Sequence, residues 1–229
     1  TAGAKKVVIT APVKGDSANS DVMGETILIG ANEEKFGTCD ITSNASCTTN
    51  SAGGIMQVLN DAIGIEKAIL NTVHAYTATQ KLVDAPDAKD FRRGRAAAQN
   101  IAPSTTGAAI AVTQVIPSLK GLFDGVAVRV PVVTGSLVDV TFIAKRNTTV
   151  EEINDILKKA SQEERWKRVF AVSEEPLVSS DIKGSPYASI LDAEMTKVVG
   201  GNLVKIMAWY DNEMGYTHTL VDHVIKTGQ

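Results

Sequence analysis

Residues 40–74 constrain the fold more than any other part of the chain. Asp40–Thr42 reads as a short strand, and the segment SNASCTTN follows it. Ile55, Val58, Leu59, Ala62 and Ile63 then recur at i, i+3, i+4, i+7 and i+8, which is one apolar helix face. Gly64 stops the helix, and Ile65–His74 reads as the next strand. When the strands of such a unit are parallel, both of their C-termini lie at one edge of the sheet. Cys47 starts the helix and His74 ends the following strand, so the two are expected to meet across 27 positions.

The flanking sequence extends this into an α/β chain. Val7–Thr10 and Thr26–Ile29 read as strands joined by a polar connection, Lys14–Asp21. Tyr76–Arg95 has neither helical nor strand period, and a loop of that length in a compact domain is usually functional. A helix is expected from about Thr106 to Val115, then strands at Val126–Val130 and Ser136–Ala144. Thr149 caps a helix running to Ala160, whose Glu151 and Glu152 suit its positive end. An irregular stretch with short strands, Val172–Gly200, precedes the alternating strand Leu203–Tyr210 and a closing helix, Tyr216–Lys226. Hairpin-like spacing with few helices between the later strands predicts a mixed or antiparallel sheet, an α+β arrangement.

Composition excludes several classes. The 229 residues are 44% hydrophobic and 21% charged, which is ordinary for a folded chain with a full core. Net charge is −3, so neither nucleic acid nor an anionic membrane surface is attracted by the global field. Any bound anion must be held by a local cluster. Ala108–Ile116 is too short to span a bilayer. Two cysteines, Cys39 and Cys47, are not a disulfide framework and point to a reducing, cytoplasmic setting. The three histidines, His74, His218 and His223, show no zinc spacing, and no metal is expected.

The chemistry centres on Cys47. At a helix N-terminus, free N–H groups and the dipole favour a thiolate. That end supplies at most about 2 kcal/mol, less than the roughly 3 kcal/mol that a two-unit fall in thiol pKa requires. A second positive group is therefore needed, and an imidazolium at His74 is the candidate. The plainer alternative stays open: a small hydrophobic thiol and a surface histidine.

Hydroxyls and arginines gather along the same stretches. Ser46, Thr48 and Thr49 flank the cysteine, while Thr77 and Thr79 follow the histidine. Arg92, Arg93 and Arg95 lie in the irregular loop. Ser104, Thr105, Thr106 and Gly107 open another helix. Arg129 sits in an apolar strand, where it needs a partner or a ligand. These groups suit phosphate; equally, they can be helix caps and solvated charges.

SNASCTTN, HAYTATQ, RRGRAAAQNIAPSTTGAA, VRVP and WYDNEMGY occur in that order. Together they resemble the phosphorylating glyceraldehyde-3-phosphate dehydrogenases over nearly the whole chain. The resemblance implies that Cys47 is the nucleophile and His74 the general base. It implies oxidation of glyceraldehyde 3-phosphate with NAD and inorganic phosphate, through a cysteine thioester, to 1,3-bisphosphoglycerate. It assigns Thr77 and Arg129 to the substrate phosphate. It assigns Ser46, Thr48, Thr106 and Gly107, with Arg93 nearby, to the attacking phosphate. Asn212 would orient the nicotinamide amide, with Tyr216 beside it. A homotetramer is implied, with the Tyr76–Arg95 loop reaching a neighbour's cofactor site. The domains implied are 1–46 as the remnant end of a Rossmann-type cofactor domain, 47–211 as the catalytic domain, and 212–229 as a helix returning to the cofactor domain.

The chain departs from that family in two ways. Ser51 stands where many members carry a second cysteine, which removes a resolving thiol. No G-x-G-x-x-G occurs, and the chain opens a few residues before a strand without an initiator Met. The glycine-rich turn is therefore expected upstream. Three other readings are carried: a non-catalytic binding or assembly module, an erythrose-4-phosphate dehydrogenase, and a cysteine hydrolase.

Overall fold

The computed structural model describes residues 3–13, 24–88 and 90–229. The Lys14–Asp21 connection lies outside them. In chain order the elements are β1 (Val7–Ile9), β2 (Gly24–Thr26), β3 (Ile41–Ser43), α1 (Cys47–Ile63), β4 (Ile65–Ala75), β5 (Ala102–Thr105), α2 (Ala108–Val115) and β6 (Phe123–Val130). They continue as β7 (Ser136–Ala144), α3 (Val150–Ala160), β8 (Phe170–Ser173), β9 (Ser189–Asp192), β10 (Lys197–Val199), β11 (Leu203–Tyr210) and α4 (Met214–Thr227).

The strands form two sheets. A small parallel sheet has the order β1-β3-β2, and an eight-stranded mixed sheet has the order β5-β6-β4-β7-β11-β9-β8, with β10 paired to β11. In the larger sheet β4 runs parallel to β6 and antiparallel to β7. The strands before and after α1 therefore lie in different sheets, which corrects the expectation of a shared edge. Cys47 and His74 do meet, because α1 crosses from the small sheet to the large one and β4 returns to the helix's starting end.

Local sequence explains how α1 is set. Ala45 turns the chain with φ 54°, and it is the one non-glycine with positive φ among the described residues. Ser46 then caps the helix, accepting from the Thr49 N–H at 3.1 Å, a contact worth about 1 kcal/mol. Gly64 ends it at φ 70°, where a Cβ would lie 2.8 Å from the Lys145 side chain. The first half of α1 is built of small residues and is buried on nearly every side. A Cβ at Gly53 would come within 2.5 Å of Leu28, and one at Gly54 within 3.2 Å of Trp166. The apolar face from Ile55 to Ile63 describes only the second half.

One face of the large sheet carries Leu70, Val140, Phe142, Val204 and Ile206, buried under α1, α2 and α3. The opposite face is open: Ile69 and Val126 are more than half exposed, beside a Lys205–Asp139 ion pair at 2.6 Å. α4 packs on the small sheet. His223 Nε2 lies 2.8 Å from Thr42 Oγ1, the Phe36 ring meets the His223 ring edge-on, and Asn44 donates to Thr219 at 3.2 Å.

Several boundaries differ from the sequence reading. Gly24–Thr26 is the strand expected at Thr26–Ile29, because Ile27–Ile29 leave the ladder and bury themselves against the neighbouring core. Ala102–Thr105 is a strand, not the approach to a helix, so Ser104 and Thr105 do not open α2. Pro103 fits there because β5 is the edge strand beside β6. The irregular stretch contains β8, β9 and β10.

Candidate active site

Cys47 is the first residue of α1 and is half-buried. Its Sγ lies 3.4 Å from His74 Nε2, at the end of β4. Arg129 is the β6 neighbour of His74 in parallel register. Its Nη1 lies 2.6 Å from His74 Nδ1 and donates to the Ala75 carbonyl at 3.0 Å. The Ala75 carbonyl is itself 2.6 Å from Nδ1. A guanidinium only donates, so the two neighbours ask opposite things of Nδ1. Protonated, Nδ1 donates to Ala75 and leaves Nε2 bare to take the thiol proton. Bare, Nδ1 accepts from Arg129, and Nε2 then presents N–H to the sulfur.

The electrostatics correct the expected imidazolium. Burial and the adjacent Arg129 charge push His74 down to about 4, against the Ala75 carbonyl. Burial also pushes the Cys47 thiol up, opposed by hydrogen bonds from Thr48 and by the Arg129 charge. Both directions favour the uncharged forms, a thiol facing an imidazole. Two charges here would each be desolvated, and the imidazolium would stand beside a guanidinium. Burial and Arg129 thus both disfavour a second proton on His74.

The remaining expected residues are spread over several places. Thr48 joins the Cys47 cluster, its Oγ1 4.0 Å from Sγ. Ser46 is also there, its hydroxyl 2.7 Å from Thr49 Oγ1 as well as capping the helix. Arg93 lines a cavity with Arg129, Arg92, Gln80, Thr79 and Ser104. The loop doubles back to put it there, through Lys81 N–H to Arg93 O at 3.0 Å and Ala85 N–H to Gly94 O at 2.9 Å. Thr77 is at the loop's start, its hydroxyl 3.0 Å from that of Thr79. Thr106 and Gly107 begin α2, where Thr106 Oγ1 accepts from the Ala108 N–H at 3.1 Å. Among the described residues no hydrogen bond links either of them to Cys47 or His74.

Asn212 is buried, and its carbonyl accepts from Gly135 N–H and Ser136 Oγ at 3.1 and 3.0 Å. Its Nδ2 donates to Glu213 at 3.0 Å, which leaves a second hydrogen. Tyr216 is half-buried and donates to the Ala45 carbonyl at 3.3 Å, directly below the turn into Cys47. Ser51 is fully buried, and its hydroxyl ties α1 to Ser189. Sequence reasoning missed Tyr210, which lies edge-on to the His74 ring at 5.9 Å and bonds Thr48. Strand alternation marked it as inward-facing, but nothing local showed what it faced. Cys39 is buried, and both cysteines are free.

A thiol at a helix N-terminus, against a neutral imidazole with a guanidinium behind it, is the arrangement of a thiol nucleophile with its own base. Residues 46–212 match the sequence family described as glyceraldehyde 3-phosphate dehydrogenase, C-terminal domain. The chain belongs to that family. It is similar to proteins named glyceraldehyde-3-phosphate dehydrogenase, being 49% identical to that of Clostridium pasteurianum over 96% of this chain. Identity is 47% to that of Mycolicibacterium smegmatis over the whole chain, and 48% to that of Geobacillus stearothermophilus over 96%. In each case the chain spans 64% of the relative's length.

Proposed function

We propose that this chain is the catalytic portion of an NAD-dependent phosphorylating glyceraldehyde-3-phosphate dehydrogenase. The observation that carries the reading is the Cys47 Sγ to His74 Nε2 approach of 3.4 Å, with Arg129 behind the ring. Cys47 Sγ bonds to the aldehyde carbon of glyceraldehyde 3-phosphate and holds it as a thiohemiacetal. The Cys47 N–H at the head of α1 and the His74 side chain stabilise the oxygen as it gains charge. His74 Nε2 then accepts the hydroxyl proton. The acyl group rests on Cys47 as a thioester until inorganic phosphate attacks and the sulfur leaves, giving 1,3-bisphosphoglycerate.

Arg129, with Arg93 in the shared cavity and Thr77 at the loop's start, is the substrate-phosphate group. Ser46 and Thr48 receive the attacking phosphate, with Thr106 and Gly107 from the head of α2. Bound NAD supplies the hydride acceptor. The spare Asn212 N–H fits a carboxamide oxygen, and Tyr216 stands beside it, so one end of the dinucleotide has its donors on this chain. The small sheet with α4 is the end of the cofactor-binding domain, and 47–211 the substrate domain. The open face of the large sheet and the loop at 76–95 support a homotetramer. A slightly acidic chain with two free cysteines suits the cytoplasm, and gives no draw toward nucleic acid. Among the described residues, no helix is long and apolar enough to cross a membrane.

The test is NAD reduction by the full-length protein with glyceraldehyde 3-phosphate and phosphate. Cys47→Ser should abolish it, and undiminished activity overturns the reading. A higher rate on erythrose 4-phosphate would move the assignment to the sibling enzyme.

A further inference from the structure

Beneath the thiol lies a row of three hydroxyls, two of which, those of Tyr210 and Thr72, the reaction as described does not use. Tyr210, 1% exposed at the end of β11, has its OH 2.8 Å from Thr48 Oγ1 and 2.8 Å from Thr72 Oγ1. Thr72 lies on β4 two residues before His74 and is also 1% exposed. Its hydroxyl reaches the Leu137 carbonyl at 3.3 Å, longer than either bond between the hydroxyls. Thr48, at the other end, faces Cys47 Sγ at 4.0 Å.

We propose that Tyr210 is a positioning residue, the middle of a Thr72–Tyr210–Thr48 hydroxyl row whose direction reverses with the charge on Cys47. Each hydroxyl has one proton to give and lone pairs to accept with. In one order Thr72 donates to Leu137, Tyr210 donates to Thr72, and Thr48 donates to Tyr210. Thr48 then shows only lone pairs to Cys47, which suits a neutral S–H. In the reverse order Thr72 donates to Tyr210, Tyr210 donates to Thr48, and the Thr48 proton turns outward, which suits a thiolate or a bound phosphate oxygen. Only the long Leu137 contact is given up, and no heavy atom moves. Hydrogen bonds in such a row polarise one another, so the outward donor is stronger for having Tyr210 behind it. Burial keeps the phenol neutral, so it passes on direction and not charge.

The charged and titratable groups facing Cys47 are His74 from β4, Arg129 from β6, Tyr210 from β11, and Glu213 and Tyr216 around the start of α4. None of these but Tyr210 belongs to the row. The inference deepens the proposed use of Thr48, but it is read out on the thiol itself.

The experiment is the pH profile of Cys47 alkylation by iodoacetamide, with thermal melting in parallel. Tyr210→Phe keeps the ring and removes the middle hydroxyl. Alkylation at pH 7 should slow roughly tenfold, the scale of one hydrogen bond to a charged group, with the profile displaced to higher pH. Thr72→Val, which does not bond Cys47, should slow it in the same direction, and Thr72→Ser should restore it. Unchanged alkylation profiles in Tyr210→Phe and Thr72→Val, whatever happens to melting, overturn the row. Should the dehydrogenase reading fail instead, NAD reduction is absent while the alkylation shifts persist. In the full-length protein, Tyr210→Phe should raise KM for phosphate more than it lowers kcat.

Discussion

Arg129 and His74 are register partners on parallel strands, and the guanidinium Nη1 of one lies 2.6 Å from the imidazole Nδ1 of the other. A cation is thus held against the ring that, in the proposed reaction, gains a proton. A phosphate that draws Arg129 away relieves that repulsion and frees Nδ1–H for the Ala75 carbonyl.

Arg129→Met should therefore move the His74 titration up from about 4. The rise stays partial, because burial is the larger cause of the depression. Imidazole 15N chemical shifts followed against pH would show it. An unchanged midpoint would mean that the guanidinium does not act on the ring.

His74 also makes stability depend on pH. An imidazole held at about 4 in the fold, against an ordinary 6.5, is protonated first in the unfolded chain. The unfolded state binds more protons below pH 6.5, so stability is full above that value and falls as pH drops toward 4. The whole loss is about 3 kcal/mol. His223, also depressed by burial, adds in the same direction. Urea midpoints at pH 7.5 and 4.5 should converge more in His74→Gln than in the parent chain. Equal pH dependence in both would rule out the effect.

Ala45 should not tolerate a branched side chain. It is 1% exposed at φ 54°, a region that costs more for a β-branched residue. Ala45→Val should lower stability by about 2 kcal/mol and slow Cys47 alkylation, since Ser46 and Cys47 follow the turn directly. Thermal melting and the alkylation rate check both. Ala45→Gly should retain both properties.

Gly94 closes the loop that delivers Arg93. A Cβ there would lie 2.5 Å from the Ala85 carbonyl, a backbone atom that cannot swing aside. Gly94→Ala should raise KM for glyceraldehyde 3-phosphate by about tenfold, as expected for one weakened charged hydrogen bond. Cys47 alkylation, on the other side of Arg129, should be unaffected.

Much of this site was legible because its signals are local. The cap at Ser46, the stop at Gly64 and the alternation of Val204, Ile206, Ala208 and Tyr210 each depend on a few neighbouring residues. What sequence could not show is set by contacts between distant segments. The separation of β3 and β4 into two sheets leaves no mark on either strand. β5 hid behind Pro103 and its hydroxyl residues, because an edge strand tolerates what an inner one rejects. The depressed pKa of His74 was missed because its causes, burial first and then Arg129, 55 positions away, are both set by tertiary packing. That Arg93 shares a cavity with Arg129 was hidden because a loop without period does not reveal how it folds back.

The two-sheet arrangement has a mechanical consequence. The turn before Cys47 leaves the small sheet and is braced by Tyr216 of α4, whereas His74 and Arg129 are mounted on the large one. Cys47 is the first helical residue after the chain leaves the small sheet. A tilt of one sheet against the other by a fraction of an ångström would change the 3.4 Å gap directly, so the reactivity of this thiol gauges how well the two halves are aligned.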